Sequence, residues 1–166
     1  ISSFGTVGLW EPIRPLLWPT ILALLNSITL SHTITTIFSI AIIYLTYLIA
    51  KKHYNSHTAL IATIILSFTW TFFFFNFRLY SEIPSVFFAL IALYSFLHNK
   101  PYLTGIFTGL AFLTKFPQGL ILILFLALKP KKAIKTLIAF IAITTPYLAL
   151  NYFLYGSLIQ NLLLAS

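Results

Sequence analysis

The sequence predicts an all-α fold, a polytopic transmembrane helical bundle, on three observations. Hydrophobic residues make up 60% of the chain, charged residues only 7%, and the mean hydropathy is +0.98. A soluble domain carries about 25% charged residues, so the solvent of this chain is expected to be mostly lipid, where only helices or closed barrels satisfy their backbone polar groups. The apolar runs are long and lack the two-residue alternation of a barrel strand, which decides for helices. Third, the basic residues gather between the apolar runs, as the positive-inside rule requires of a membrane protein. The same rule accounts for the net charge of +8 without nucleic acid, since no basic face with interleaved aromatics lies outside the apolar runs.

The elements follow in order. Residues 12–30 are apolar but interrupted by Arg14, Pro15 and Pro19. The run after Pro19 is too short to span and is expected to be a juxtamembrane helix at the interface, with Trp10 and Trp18 as anchors. Residues 33–50 are the first expected span, closed by Lys51, Lys52 and His53. Residues 58–76 are the second, ending in the aromatic run from Trp70 to Phe77. The polar patch Arg78-Leu79-Tyr80-Ser81-Glu82 precedes a third span at 83–97, with Ser81 as its expected cap and Pro84 in its first turn, where a missing N–H costs nothing. His98 to Tyr102 form a turn.

Residues 103–128 can be read as one span or as a hairpin of two short helices, 102–115 and 118–128. One span would hold Lys115 near its centre at a cost of about 2.5–3.5 kcal/mol. The hairpin puts Lys115 and Pro117 at the turn between helices of about 21 and 17 Å, neither able to cross a core of about 30 Å. Its tip would face a polar cavity inside the protein. It also places Lys51, Lys52, Lys100, Lys129, Lys131, Lys132 and Lys135 on one side, against Arg14, Arg78 and Lys115 on the other. The hairpin is therefore expected, followed by a last span at 134–154. Loops 51–57, 98–102 and 129–133 are then cytoplasmic, and 1–32, 77–82 and 155–166 lie outside. Residues 1–166 are read as a single membrane domain. The chain starts at Ile1 and has no Met, and is expected to be a fragment of a longer protein.

Few residues can carry chemistry. Cysteine is absent, which excludes thiolate chemistry and disulfides. His32, His53, His57 and His98 are scattered over both sides and suggest no metal site. No phosphate loop, nucleotide fingerprint or nucleophile elbow is present. The two acids, Glu11 and Glu82, both fall on the outer side. Glu82 is a candidate functional acid; equally, it could complement the dipole of its helix and pair with Arg78 four residues away. Glu11 reads more simply as a solvated loop acid. Lys115 is a candidate anion binder at the end of a short helix, with snorkelling from a single span as the alternative. Arg78 could hold a phosphate through its planar fork or anchor the chain at the interface. Gly105 and Gly109 form a small-xxx-small pair, the usual mark of close helix packing.

Three segments carry a resemblance. Arg14-Pro15-Leu16-Leu17-Trp18-Pro19-Thr20 resembles the end of the first outer loop of the C-type membrane glycosyltransferases, and in particular of the dolichyl-phosphate-mannose protein mannosyltransferase and aminoarabinose transferase superfamily. Residues 78–94, RLYSEIPSVFFALIALY, are similar to that family's second acidic loop, with Glu82 at the acidic position. GIFTGLAFLTK, Gly105 to Lys115, followed by Phe116-Pro117, resembles its GLxxGLAxLTK segment. The resemblance implies part of a C-type (GT-C) membrane module that moves a sugar from a polyprenyl-phosphate carrier to a protein or lipid-linked acceptor on the outer face. It would be a multi-pass integral protein of the cell membrane, with Lys115, Arg78 and Glu11 as candidate substrate-binding residues and Glu82 in a supporting catalytic role. The family's acidic pair after the first span has no counterpart here. Glu11 lies too close to the RPLLWP run to be equated with it, so the main base is expected in a missing loop and the segment is expected to be inactive alone. No cofactor is implied, and a divalent metal is left open. A secondary transporter with broken helices and a non-catalytic assembly subunit are the rival readings.

Overall fold

A computed structural model describes residues 15–156, and these form an all-α membrane helical bundle. Eight α-helices and one 3₁₀ turn occupy the described residues, with no strand among them. Helix α1 is Leu17–Leu25 and α2 is Ile28–His53, joined by Asn26 in the left-handed conformation at φ 44°. Asparagine tolerates that conformation better than most residues because its side chain can bond locally. Ser27 then caps α2, accepting from the Leu30 N–H, while Lys51, Lys52 and His53 complement the dipole of its last turn. The juxtamembrane helix thus begins at Leu17, ahead of Pro19, and ends at Leu25 instead of continuing to residue 30, and the first span starts five residues earlier than expected. Residues 1–14, with Trp10, Glu11 and Arg14, lie outside the described residues.

Helix α3, Ser56–Phe68, is capped by Asn55, whose side chain accepts from Thr58 N–H at 2.8 Å. The expected span at 58–76 does not run straight. It breaks at Thr69 and resumes as α4, Trp70–Asn76, bent by 59°. Thr69 takes an extended backbone (φ −68°, ψ 124°), and its hydroxyl donates to the Ile65 carbonyl at 2.8 Å. The bend brings Asn76 Oδ1 within 2.7 Å of the Ser39 hydroxyl, which donates to it from α2.

Helix α5 is Glu82–Leu97 and α6 is Pro101–Thr114; a 3₁₀ turn at Phe116–Leu120 leads into α7, Ile121–Leu128, and α8 is Pro130–Tyr155. Pro101 and Pro130 start their helices, where the missing N–H has no partner to lose. The 16 residues of α5 rise only about 24 Å, so 83–97 does not make the full span the sequence suggested. Helices α2 and α8 are long and apolar enough to cross, and the bent pair α3 and α4 adds a third if it counts as one span.

Helix α6 packs chiefly against α8 and α5. Gly105 and Gly109 make that contact close: a Cβ on Gly105 would overlap the Thr136 carbonyl oxygen, and one on Gly109 would press on Ile143. Thr104, Thr108 and Thr114 on α6, and Thr136 and Thr144 on α8, are buried, each hydroxyl bonded to a carbonyl three or four residues back. Small, self-satisfied side chains let helices approach where lipid supplies no hydrophobic drive.

The chain reverses at residues 115–120, as the hairpin requires. The Lys129 ammonium, just past α7, donates to Phe96 O at 2.7 Å and Asn99 Oδ1 at 2.8 Å, at the turn before α6. Lys52 donates to Leu97 O at 2.7 Å. The turns after α2, α5 and α7 therefore share one end of the bundle. Cysteines at Asn55 and Lys131 should both react with a membrane-impermeant thiol reagent from the same side of sealed vesicles; labelling from opposite sides would falsify the hairpin.

Candidate functional site

The end of the bundle opposite the lysines is built on a forced interruption of the α6–α7 stretch. Pro117 has no N–H to give the Leu113 carbonyl, its ring would clash there, and the residue before it is pushed out of the helical region. Helix α6 stops at Thr114, and Lys115 is extended (φ −156°, ψ 112°), its N–H still bonded to Ala111 O at 2.9 Å. The side chain of Lys115 thus leaves the C-terminal end of α6, where a cation is favoured.

Glu82 stands in the first turn of α5, where an anion is favoured. Because α5 and α6 are neighbours running in opposite directions, these two helix ends meet. The Lys115 ammonium donates to Glu82 Oε1 at 3.1 Å. Arg78, at helical spacing from Glu82, does not take this place. Residues 79–81 are not helical, and the Arg78 guanidinium lies over the Phe74 ring, 5.3 Å from its centroid. Nor does Ser81 cap α5. Although it precedes the helix, its φ −75° and ψ −5° lie in the αR region and not in the extended one usual for a cap, and no capping bond forms.

A cleft of about 500 Å³ adjoins the pair, lined by Trp18, Phe75, Tyr80, Ser81, Glu82 and Thr114, with Pro15, Pro19, Leu22 and Leu79 completing it. Its size lies within the roughly 300–1,000 Å³ of small-molecule sites. Trp18, expected as an interfacial anchor, is 3% exposed. Its indole N–H donates to Leu79 O at 2.9 Å, tying α1 to the 77–81 loop. Its ring meets Phe38 at 6.3 Å, and Phe38 stacks on Phe87 at 4.4 Å. On the far side, Leu16 and Leu17 pack on the buried cluster of Leu113, Phe116 and Tyr147, beside Lys115.

The structure brings Glu82 and Lys115 together across 33 residues of sequence, leaves Arg78 exposed on the adjoining loop, and does not describe Glu11. The sequence does not single out Trp18, Tyr80 and Thr114 as cleft residues; the signal near them is that each falls within one of the three family-like segments. No group of three histidines, cysteines or acids that could hold a metal occurs among the described residues.

Residues 13–155 match the family described as dolichyl-phosphate-mannose-protein mannosyltransferase. No curated protein and no solved structure matches the chain.

The pair is reached by solvent, with side-chain exposures of 40% for Lys115 and 30% for Glu82, so its contribution to folding is small. A double-mutant cycle of Glu82→Gln and Lys115→Met, read by unfolding of the detergent-solubilised protein, should give a coupling of about 1 kcal/mol or less. A coupling of several kcal/mol would make the pair a structural clamp instead.

Proposed function

The chain belongs to the dolichyl-phosphate-mannose-protein mannosyltransferase family, a family of glycosyltransferases, and we propose that it serves sugar transfer from a polyprenyl-phosphate carrier, with Lys115 at the donor phosphate. The observation that carries this reading is the Lys115–Glu82 pair, in which Glu82 lines the cleft and Lys115 follows the lining residue Thr114. The protein is a multi-pass one of the cell membrane in this reading, with the cleft on the outer face and the acceptor a protein or another lipid-linked molecule. Family membership favours this over secondary transport or a passive assembly role.

In the reaction the bond between the sugar's anomeric carbon and a phosphate oxygen breaks, and the phosphate keeps the electron pair. The acceptor oxygen bonds to that carbon, and its proton passes to a base. Negative charge grows on the departing phosphate, and a cation already aimed there lowers the barrier. Lys115 is such a cation. Its stem is fixed by the end of α6, and its ammonium is held by Glu82 before any donor arrives. Glu82 keeps the ammonium positioned and is itself compensated by it, which suits a supporting role. Deprotonating the acceptor is assigned to a carboxylate beyond the described residues. Arg78, on the adjoining loop, supplies a second cation for the phosphate. The carrier's isoprenoid tail would lie along the exposed apolar flanks of the helices.

Loss of a charge-assisted contact costs about 1.5–3 kcal/mol. Lys115→Met should therefore weaken donor binding about ten-fold to a hundred-fold in the solubilised full-length protein, with Lys115→Arg keeping part of it. Wild-type affinity in Lys115→Met would remove the phosphate role. Glu82→Gln should express normally yet transfer sugar more slowly; unchanged transfer would reduce Glu82 to a helix-dipole residue.

A further inference from the structure

The lysine end of the bundle has no counterpart to Glu82. Lys100, Lys129 and Lys132 line one narrow notch between the turn before α6 and the start of α8, together with Asn99 and Phe96. Lys135 follows one turn along α8, its ammonium 6.0 Å from the centroid of Tyr102. Lys51 and Lys52 close α2 at the same end. No carboxylate among the described residues is there to compensate them, since Glu82 lies at the opposite end. Both acceptors that Lys129 uses are neutral, a carbonyl and an amide. Burial, Lys132 and Lys52 hold its ammonium below the usual lysine range.

The positive-inside rule explains why lysines fall on this side. It does not require that three of them line one notch where two helices begin. Helices α6 and α8 both start here, behind Pro101 and Pro130, so the positive ends of two dipoles add to the lysine charge instead of opposing it. An anion is the missing partner. The neighbouring side chains say which kind. Tyr102, beside Lys135, and Leu128, next to Lys129, are each more than half exposed, as are Ile134 and Ile138, which flank Lys135 on α8 rather than the notch itself. A soluble anion or an acidic protein would use the lysines alone. A phospholipid uses both kinds of surface, its phosphate among the lysines and its acyl chain against the apolar side chains around them.

We propose that the Lys100–Lys129–Lys132–Lys135 end is a binding site for the headgroup of an anionic phospholipid. It is separate from the donor cleft and does not depend on the function proposed for that cleft. The notch itself holds about 10 Å³, too little for a phosphate, so the headgroup lies across its mouth. There Lys132 is half-buried and Lys100 and Lys135 are exposed.

The test uses the full-length protein in phosphatidylcholine nanodiscs with and without phosphatidylglycerol, with retained lipid read by native mass spectrometry and stability by thermal unfolding. Wild type should retain phosphatidylglycerol selectively and unfold at a higher temperature with it. Lys100→Gln/Lys132→Gln should weaken retention about five-fold per lysine removed and lose the thermal shift, while unfolding normally in phosphatidylcholine alone. Lys51→Gln/Lys131→Gln removes the same charge outside the notch and should leave most of the selectivity. Equal losses in the two double variants would reduce the effect to bulk surface potential and overturn the site. No selectivity in the wild type would overturn it too. A thermal shift reproduced by inorganic phosphate alone would make the ligand a soluble anion and refute the lipid assignment.

Discussion

A helix in hydrocarbon must satisfy every backbone group within itself, and an ammonium cannot be left there uncompensated. Pro117 and Lys115, two residues apart, break both conditions at once, and much of the architecture answers to that. The helix stops at Thr114, the chain turns through five 3₁₀ residues, and it descends again as α7. The broken end lies under α1, with Leu16 and Leu17 on Phe116 and Tyr147. The ammonium finds the carboxylate at the start of α5. What would be a defect in a single span becomes a polar corner with a cleft beside it.

The precision of that corner comes from below it. Gly105 and Gly109 let α6 approach α8 at backbone distance, and a β-carbon at either would have to displace its neighbour. This contact fixes the height and rotation of α6. Lys115 is ten residues further along, about 15 Å, on a helix also packed against α5. The position of a charged side chain is thus set by two missing side chains three and two turns away. A small-residue stripe that serves only packing therefore bears on the role proposed for Lys115, because it sets where that side chain sits.

The parts of this legible in the sequence are those that local rules govern. Pro117 after Lys115 marked the break, Pro101 and Pro130 marked helix starts, and the distribution of lysines marked which turns share an end. Tertiary constraints hid the rest. The 59° bend at Thr69 has no glycine or proline to announce it; it follows from an extended threonine whose far helix is held by Ser39 and Asn76. Trp18 looked like an interface anchor because its neighbours are proline and leucine, yet its N–H is used inside the protein by Leu79. Spacing suggested an Arg78–Glu82 pair, but spacing has that meaning only on a continuous helix, and residues 79–81 are not one. The true partner of Glu82 lies 33 residues away, beyond any pattern rule.

The two ends of the bundle handle charge in opposite ways. At the cleft, one acid meets one base, each at the helix end its sign prefers, so the pair is nearly neutral and cheap to keep. In the function proposed for the cleft, a phosphate would have to compete with Glu82 for Lys115, and the carboxylate would be placed to take the ammonium back when the phosphate leaves. At the other end the described partners of the lysines are all neutral, carbonyls, an amide and aromatic rings, and the lysines crowd the positive ends of α6 and α8. No carboxylate among the described residues compensates that arrangement, which is what the proposed phospholipid headgroup would do. Compensation inside the fold fits the exchange proposed at the cleft, whereas charge left without a carboxylate fits the retained partner proposed at the other end.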